Sequence, residues 1–394
     1  MITQIDISNF RSIKQQSIPL KKFNILYGTN GSGKSSVGYA PYVFRNFYVN
    51  PNQRLNSLFN LGFINLGSFE AIKGIDMNKN SIDITISFVL PLFQFHNELT
   101  LRDEKSILKF TFSIAESSSS ILLSIDGIGN GGIIFDFPYN LSQNLELDFG
   151  HGILVLWNGF AFDNHPKSTK RISVAQLNAF FQVIKNIDVI SVRRGFFNPI
   201  FSTEQATEES LFAMQIRNEG LNFESKIDHY FKNIFDKNFR FVAIPGSTSF
   251  YLKTQNSKGH TTDLVNEGFG VNQTVYMLAK LLKKSTSLAF IEEPEIHLHP
   301  TAQAKLVDAF TEIIQKEDKQ IFLTTHSENI VSSVLAKIAA GELDKNDVQF
   351  YLAKFEDGET KIIPQEVNDK GQIEGGLMNF METELANLKT LLGV

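Results

Sequence analysis

The sequence predicts an α/β protein in which a sheet of parallel strands with crossover helices accompanies an antiparallel region. Two observations predict this. Helical and strand patterns alternate through the last third of the chain, which favours parallel strands joined by helices. From about residue 76, apolar and polar residues instead alternate one by one, which is typical of strands with one wet face. We therefore expect a mixed sheet, an antiparallel β region and a helical insertion.

The amino-terminal part contains two apolar runs, around Ile5 and at 23–26, which are separated by the polar patch 11–17. We expect a strand, a turn and a second strand, followed by a short helix after Lys34. Pro41 should end or kink that helix early, because proline lacks the N–H group that a helix interior needs.

The middle of the chain predicts strands first and helices later. Alternation marks strands at 82–90 and 108–114, and small polar residues and glycines mark turns or loops at 117–120 and 127–132. Helical spacing follows in two stretches, 174–187 and 208–235.

The last part predicts a hairpin around 256–259 and then a regular alternation of helices and buried strands. The alternating elements are a helix at 271–284, a strand at 288–291, a helix at 301–314 and a strand at 321–324. A closing hairpin at 348–361 and a final helix near 378–392 complete the chain. The organisation that we predict has three parts, 1–75, 76–250 and 251–394.

Composition narrows the class of protein. The chain has 394 residues, of which 42% are hydrophobic and 20% charged, a balance that is typical of soluble globular proteins. The net charge of -5 argues against a whole-surface attraction to nucleic acid or anionic lipid, and leaves only a local basic groove for either. The absence of cysteine excludes disulfides and thiolate metal sites, and suits a reducing cytosol. We see no secretion signal and no bilayer-spanning run, so we expect a cytoplasmic protein without a membrane partner.

Residues 28–35, here called the phosphate loop, match the pattern G-x-x-x-x-G-K-[ST] between an apolar strand and a helix. Its glycines let backbone N–H groups point at phosphate oxygens. Lys34 would place its charge on the β- and γ-phosphates, and Ser35 would offer its hydroxyl to Mg²⁺. The strand–helix setting favours ATP binding over a glycine-rich turn that matches by chance. The nucleotide-binding residues that we predict here are Asn30, Gly31, Ser32, Gly33, Lys34, Ser35 and Ser36.

The apolar strand at 288–291 ends in two carboxylates. Glu292 would hold Mg²⁺ directly or through water, and Glu293 would polarise the attacking water as general base. Taken alone, the pattern fits a strand capped by exposed acids better. Beside a phosphate loop, the metal-and-water interpretation becomes the stronger one.

The strand at 321–324 delivers His326 to the carboxyl edge of the sheet, where ligands of open α/β sheets bind. His326 would hydrogen-bond the γ-phosphate and sense its loss, although a cap or a core donor is the plainer interpretation of a single histidine. The catalytic residues that we predict are Lys34, Glu293 and His326.

Residues 268–273 open a helix with two glycines, and the amino-terminal end of a helix is a ready anion site. Since the phosphate loop already supplies one such site, we expect this one to contact a nucleotide held by a partner subunit, through Gly270 and Asn272. The alternative is a simple helix cap.

Two weaker candidates remain. Arg193 and Arg194 could meet phosphate or nucleic acid, although such a pair more often forms a solvated face or an ion pair. His297 and His299 are poor evidence for zinc without further ligands.

The order of these elements resembles the ABC-type ATPases of the SMC and RecF kind. More narrowly, it is similar to the prokaryotic AAA-labelled ATPases related to the ATPase part of the overcoming-lysogenization-defect nucleases. The resemblance is carried by four stretches: 7–12, 23–35, 291–300 and 325–327. It implies an ABC-type P-loop ATPase head as the fold, with ATP and Mg²⁺ as cofactors.

The resemblance also implies roles for single residues. Glu292 would take the Walker B metal position, where many relatives have Asp, Glu293 would be the catalytic base and His326 the switch histidine. Residues 295–300 would be the D-loop region. Residues 268–273 stand where the ABC signature stands, although they do not read Leu-Ser-Gly-Gly. Arg11 would lie near the nucleotide.

For the whole protein, the resemblance implies an ATP hydrolase whose heads form a homodimer or higher oligomer around sandwiched ATP. Closing and opening of this dimer would drive or regulate a separate effector protein, for example in anti-phage defence. Two alternatives stay open: a DNA-associated repair-type ATPase, and a nucleotide-gated scaffold with little hydrolysis. The tail after His326 is too short for the TOPRIM domain of the family nucleases, so we expect no nuclease activity.

Overall fold

The structure is a computed structural model, and it describes residues 1–74, 79–90, 106–202, 207–374 and 389–390. The chain divides into two compact units. The first unit comprises residues 1–21, 28–189 and 351–364, and the second comprises 22–27, 190–350 and 365–394.

An antiparallel sheet of six strands dominates the first unit, in the order β2-β1-β4-β5-β6-β7. Its strands are β1 (Ile2–Phe10), β2 (Ile13–Pro19), β4 (Ser81–Leu90), β5 (Ser106–Ala115), β6 (Ser119–Ile125) and β7 (Gly129–Phe135). The alternation that predicted β4 and β5 places Ile84 level with Ile7 on one side and Phe112 on the other, and all three side chains are buried.

The remaining elements of the first unit are short strands and three helices. The strands β8 (Leu145–Asp148), β9 (Leu154–Trp157) and β10 (Phe162–Asn164) form a small sheet. The helices are α1 (Lys34–Val49), α2 (Phe69–Ile72) and α3 (Val174–Lys185). The strands β11 (Ile187–Ile190), β17 (Val348–Glu356) and β18 (Glu359–Gln365) have residues in both units.

We expected Pro41 to end or kink α1 early; the first alternative is wrong, because the helix continues to Val49 with Pro41 inside it. An interior proline costs about 3 kcal/mol. Beyond it, Phe47 lies stacked on Phe112 with ring centroids 4.5 Å apart, and Tyr48 contacts Phe181. Each fully buried aromatic side chain contributes about 1.5–3 kcal/mol, so packing outweighs the proline.

Two other local predictions are wrong in part. The polar patch 11–17 lies largely in β2, which pairs with β1 in register from Gln4–Pro19 to Phe10–Ile13. The turns predicted at 117–120 and 127–132 are present only at the first residues of each stretch, because β6 begins at Ser119 and β7 at Gly129. In both places ladder hydrogen bonds to a neighbouring strand override a composition that locally favours turns.

Three neighbouring parallel strands form the centre of the second unit: β3 (Phe23–Gly28), β15 (Leu288–Glu292) and β16 (Gln320–Thr325). Helix α7 (Pro300–Lys316) connects β15 to β16, as a crossover between neighbouring parallel strands requires. The other helices are α4 (Glu208–Asn218), α5 (Leu221–Phe235), α6 (Phe269–Leu282) and α8 (Glu328–Ala339). The parallel arrangement confirms the prediction for the last third of the chain.

The second unit also contains a small antiparallel sheet of β12 (Lys237–Ala243), β13 (Phe250–Asn256) and β14 (Thr261–Asp263), and the β13–β14 hairpin was predicted. The helix predicted near 378–392 lies almost wholly outside the described residues. In the described part of the chain, every helix is too short or too polar to cross a membrane.

Candidate nucleotide-binding site

The phosphate loop belongs to the first unit and leads directly into α1. Gly33 caps the helix in a left-handed conformation with φ 86°, and Lys34 is the first helical residue. Lys34 is buried, and its Nζ donates hydrogen bonds to the carbonyls of Gly28 and Thr29, at 3.0 and 2.9 Å. The loop therefore surrounds an ammonium group at a helix amino terminus, which is the arrangement that binds phosphate.

The phosphate loop lies against the two carboxyl-terminal strands β17 and β18. A Cβ on Gly28, whose φ is +150°, would stand 2.3 Å from the Ala353 carbonyl oxygen. A Cβ on Gly33 would stand 2.1 Å from the Thr360 hydroxyl, which itself lies 2.7 Å from the hydroxyl of Ser12. Both glycines are thus required by close approach, and the sequence carried no signal for this bracing.

Arg11 lies beside the start of α1. Its Nη1 donates a hydrogen bond of 3.2 Å to the Ser36 hydroxyl, and its guanidinium lies 5.9 Å from the centre of the Tyr39 ring. Arg11 has φ 53°, a left-handed conformation that is uncommon for a residue with a side chain. This places a cation next to the predicted nucleotide-binding residue Ser36.

In the second unit, the predicted acids and histidine meet at the carboxyl edge of the parallel strands. Glu292 is the last residue of β15 and is buried. Glu293 turns the chain away from the strand with φ 41°, and its N–H donates to the Thr324 carbonyl at 2.8 Å. Its Oε1 lies 3.4 Å from Nε2 of His326, and both side chains are about one third exposed. The structure thus brings Glu293 and His326 together.

Glu295 organises this edge, although only the family resemblance pointed to its region. Its Oε1 accepts three hydrogen bonds, from the Thr325 hydroxyl at 2.8 Å and from the backbone N–H groups of His326 and Ser327 at 2.8 and 3.1 Å. The Ser327 hydroxyl also contacts Gln303 Oε1 at 2.5 Å. One carboxylate therefore fixes the backbone that carries His326.

Arg194 is a buried cation that donates hydrogen bonds to backbone carbonyls, a structural role that lies nearer the plainer interpretation of the basic pair than contact with phosphate or nucleic acid. Its Nη1 donates to the Glu292 carbonyl at 2.5 Å and its Nη2 to the Glu293 carbonyl at 2.8 Å. Burial lowers the pKa of Arg194 to about 10, while the neighbouring charges of Glu295, Glu292 and Glu293 act to raise it. The sequence pattern did not reveal this role.

The helix end at 268–273 is only partly available to a ligand. Gly268 caps α6 without any side-chain hydrogen bond, and Phe269 is 62% exposed. A Cβ on Gly270 would stand 2.3 Å from the His297 carbonyl oxygen. Asn272 is buried and bonds the backbone of Phe196, which favours a structural role for its side chain. Its assignment to a partner's nucleotide stays a prediction.

The oxygens of Ser35 and Glu292 are of the kind that Mg²⁺ takes, because Mg²⁺ combines one or two protein oxygens with substrate phosphates and water. The described residues contain no cluster of three or more histidine or acidic side chains that could hold a metal by themselves. His299 instead caps α7, with its Nδ1 accepting from the Thr301 N–H. The donor set therefore fits a metal that arrives with a nucleotide.

Comparison with known proteins adds the family and the fold. The family model described as "AAA ATPase domain" matches residues 1–127 and 198–331. No curated protein matches the chain. Among solved structures, an SMC head bound to the C-winged helix domain of ScpA is 14% identical, with 92% of this chain and 97% of that chain covered and a TM-score of 0.53. The SMC head domain from Thermotoga maritima is 12% identical, with 93% and 99% covered and a TM-score of 0.46. The first of these two matches shows that the chain has the mixed α/β fold of SMC heads.

Proposed function

The chain belongs to the AAA ATPase domain family, and on that premise we propose that it binds ATP with Mg²⁺ and hydrolyses it. One observation carries the proposal. In the second unit, Glu292 is level with Thr324, and Thr325 is level with Tyr27, at the ends of three neighbouring parallel strands. The phosphate loop begins at the residue after Tyr27, so it starts from the same strand ends as the acids and His326. The family resemblance gives both groups of residues a role on ATP.

In this mechanism the phosphate loop binds the nucleotide, and residues of the second unit activate the attacking water. Backbone N–H groups of residues 30–36 and the ammonium of Lys34 bind the β- and γ-phosphates. Ser35 and Glu292 would hold Mg²⁺, which would supply positive charge beside these phosphates. Glu293 takes a proton from the attacking water. The water oxygen bonds to the γ-phosphorus, and the bond from the γ-phosphorus to the oxygen it shares with the β-phosphate breaks, which releases ADP. His326, 3.4 Å from Glu293, orients that carboxylate and donates to the γ-phosphate.

We also propose that two copies complete the site, with residues 268–273 of one copy facing the ATP of the other. The exposed Phe269 and the uncapped amino end of α6 support this, because the positive end of a helix of 14 residues attracts phosphate. An SMC head is known in complex with a separate protein domain, which supports a separate effector for this chain as well.

The resemblance to overcoming-lysogenization-defect proteins supports a cytoplasmic role beside a separate nuclease or toxin in anti-phage defence. A DNA-associated repair role has less support, because the net charge is -5.

The test uses the purified full chain. Lys34→Ala should lose ATP binding, and Glu293→Gln with ATP and Mg²⁺ should form a dimer whose mass light scattering detects. Addition of DNA should leave turnover unchanged; stimulation would favour the repair role. A Glu293→Gln protein that stays monomeric with bound ATP would overturn the dimer, and wild-type ATP binding by Lys34→Ala would overturn the site.

A further inference from the structure

We propose that the segment 191–198 mechanically links the amino end of α6 to Glu293, with Arg194 as the residue that positions this carboxylate. The link rests on the proposed function, in which α6 meets a partner's nucleotide and Glu293 serves hydrolysis. It predicts that a contact at one place changes the geometry at the other.

The first connection joins the segment to α6. Asn272 lies in the first turn of the helix, and its Nδ2 donates to the Phe196 carbonyl at 2.7 Å while its Oδ1 accepts from the Phe196 N–H at 2.7 Å. The side chain therefore holds Phe196 as a neighbouring strand would. The approach is so close that a Cβ on Gly195, whose φ is +148°, would stand 2.9 Å from Asn272 Oδ1.

The second connection joins the segment to the acids. The guanidinium of Arg194 donates to the carbonyls of Ser191, Glu292 and Glu293, at 3.1, 2.5 and 2.8 Å. The bonds to Glu292 and Glu293 fix the two peptide groups between which the chain turns out of β15. The direction in which the side chain of Glu293 leaves the backbone depends on those peptide groups, since Glu293 has the uncommon φ of 41°.

A third contact keeps the segment from yielding elsewhere. Glu209 in α4 accepts hydrogen bonds from the N–H groups of Phe197 and Asn198, at 2.5 and 2.8 Å. The segment is thus held at its far end. Only Gly195 separates Phe196, which Asn272 holds, from Arg194, so a shift of α6 is passed on to Arg194. A lysine could keep the charge of Arg194 but not its fork of parallel donors.

Amide hydrogen–deuterium exchange, measured in the absence of nucleotide, tests the link. Asn272→Ala makes no direct hydrogen-bond change at 292–296, yet we expect deuterium uptake there to rise about fivefold, as for the loss of roughly one hydrogen bond. Thr311→Val is the matched control, because Thr311 is a buried residue of the same unit whose hydroxyl bonds only within α7. Equal uptake at 292–296 in the two variants would overturn the link.

The kinetic experiment tests Arg194. We expect Arg194→Lys to lower kcat about ten- to a hundredfold and to leave the KM for ATP within about twofold, because misplacement of a reacting group affects the chemical step. Lys319→Met is the control, since Lys319 is also a buried cation that bridges two carbonyls, those of Lys283 and Thr286. A raised KM with unchanged kcat would overturn the positioning role.

The two failures remain distinguishable. A wild-type chain that does not hydrolyse ATP overturns the proposed function, and the exchange comparison still decides whether the link exists.

Discussion

Glu295 gives a sharp prediction about how the second unit holds His326. We expect Glu295→Ala to lower stability and hydrolysis together. Its Oε1 accepts hydrogen bonds from Thr325, His326 and Ser327, and a bond to a charged acceptor contributes about 1.5–3 kcal/mol. The three bonds share one atom, so their contributions do not add in full. Thr325 is fully buried, so water does not replace its lost partner. The expected loss is therefore about 3 kcal/mol rather than the sum.

The assay pairs thermal unfolding with steady-state hydrolysis. Glu295→Ala should melt on the order of 5 °C lower than wild type, and its kcat should fall at least tenfold because the backbone of His326 is no longer fixed. Glu295→Gln is the matched variant, since an amide oxygen can still accept from the same donors. It should retain most of the stability. An alanine variant that melts and hydrolyses like wild type would refute this reasoning, and so would a glutamine variant as impaired as alanine.

Three further predictions concern the phosphate loop and a buried lysine. Gly28→Ala should destabilise the chain by about 3 kcal/mol, because its Cβ would meet the Ala353 carbonyl, whereas Gly31→Ala, with φ +78° and nothing within 4 Å, should lose only about 1 kcal/mol; thermal melting compares them, and equal losses would contradict the bracing. Arg11→Ala should weaken ATP binding about tenfold in a titration, and unchanged affinity would remove Arg11 from the site. Burial lowers the pKa of Lys319 to about 8 from 10.5, so the unfolded chain binds more protons between these values and stability should rise with pH across that window. Lys319→Met should lose this rise in denaturant titrations at pH 8 and 10; an identical rise in both proteins would show that other groups cause it.

The sequence predicted those parts of the site that are formed by residues adjacent in the chain or by the ends of single strands. The phosphate loop is continuous in sequence, and the apolar strand before it and the helix after it can be recognised in the neighbouring residues. The positions of Glu292 and His326 follow from apolar runs that end at the same edge of a parallel sheet. Strand ends alone therefore predict that Glu293 and His326 lie at one edge of the sheet, and the contact between them is a finding of the structure.

Other features depend on contacts between residues far apart in the chain, which no local pattern contains. Arg194 reaches residues 98 and 99 positions away, and Asn272 reaches a residue 76 positions away. Pro41 illustrates the opposite failure, because a strong local signal for a helix end was overridden by aromatic packing further along α1. Glu295 was placed only in a region by resemblance, since its three donors come from another strand's end.

The most direct measurement is single-turnover ATP hydrolysis by Glu293→Gln beside wild type, with ATP binding measured on the same preparations. If Glu293 is the general base, hydrolysis falls at least about a hundredfold while the affinity for ATP stays within a few fold, because the phosphate loop is untouched. Hydrolysis by Glu293→Gln at the wild-type rate would contradict the role of Glu293 and with it the proposed mechanism.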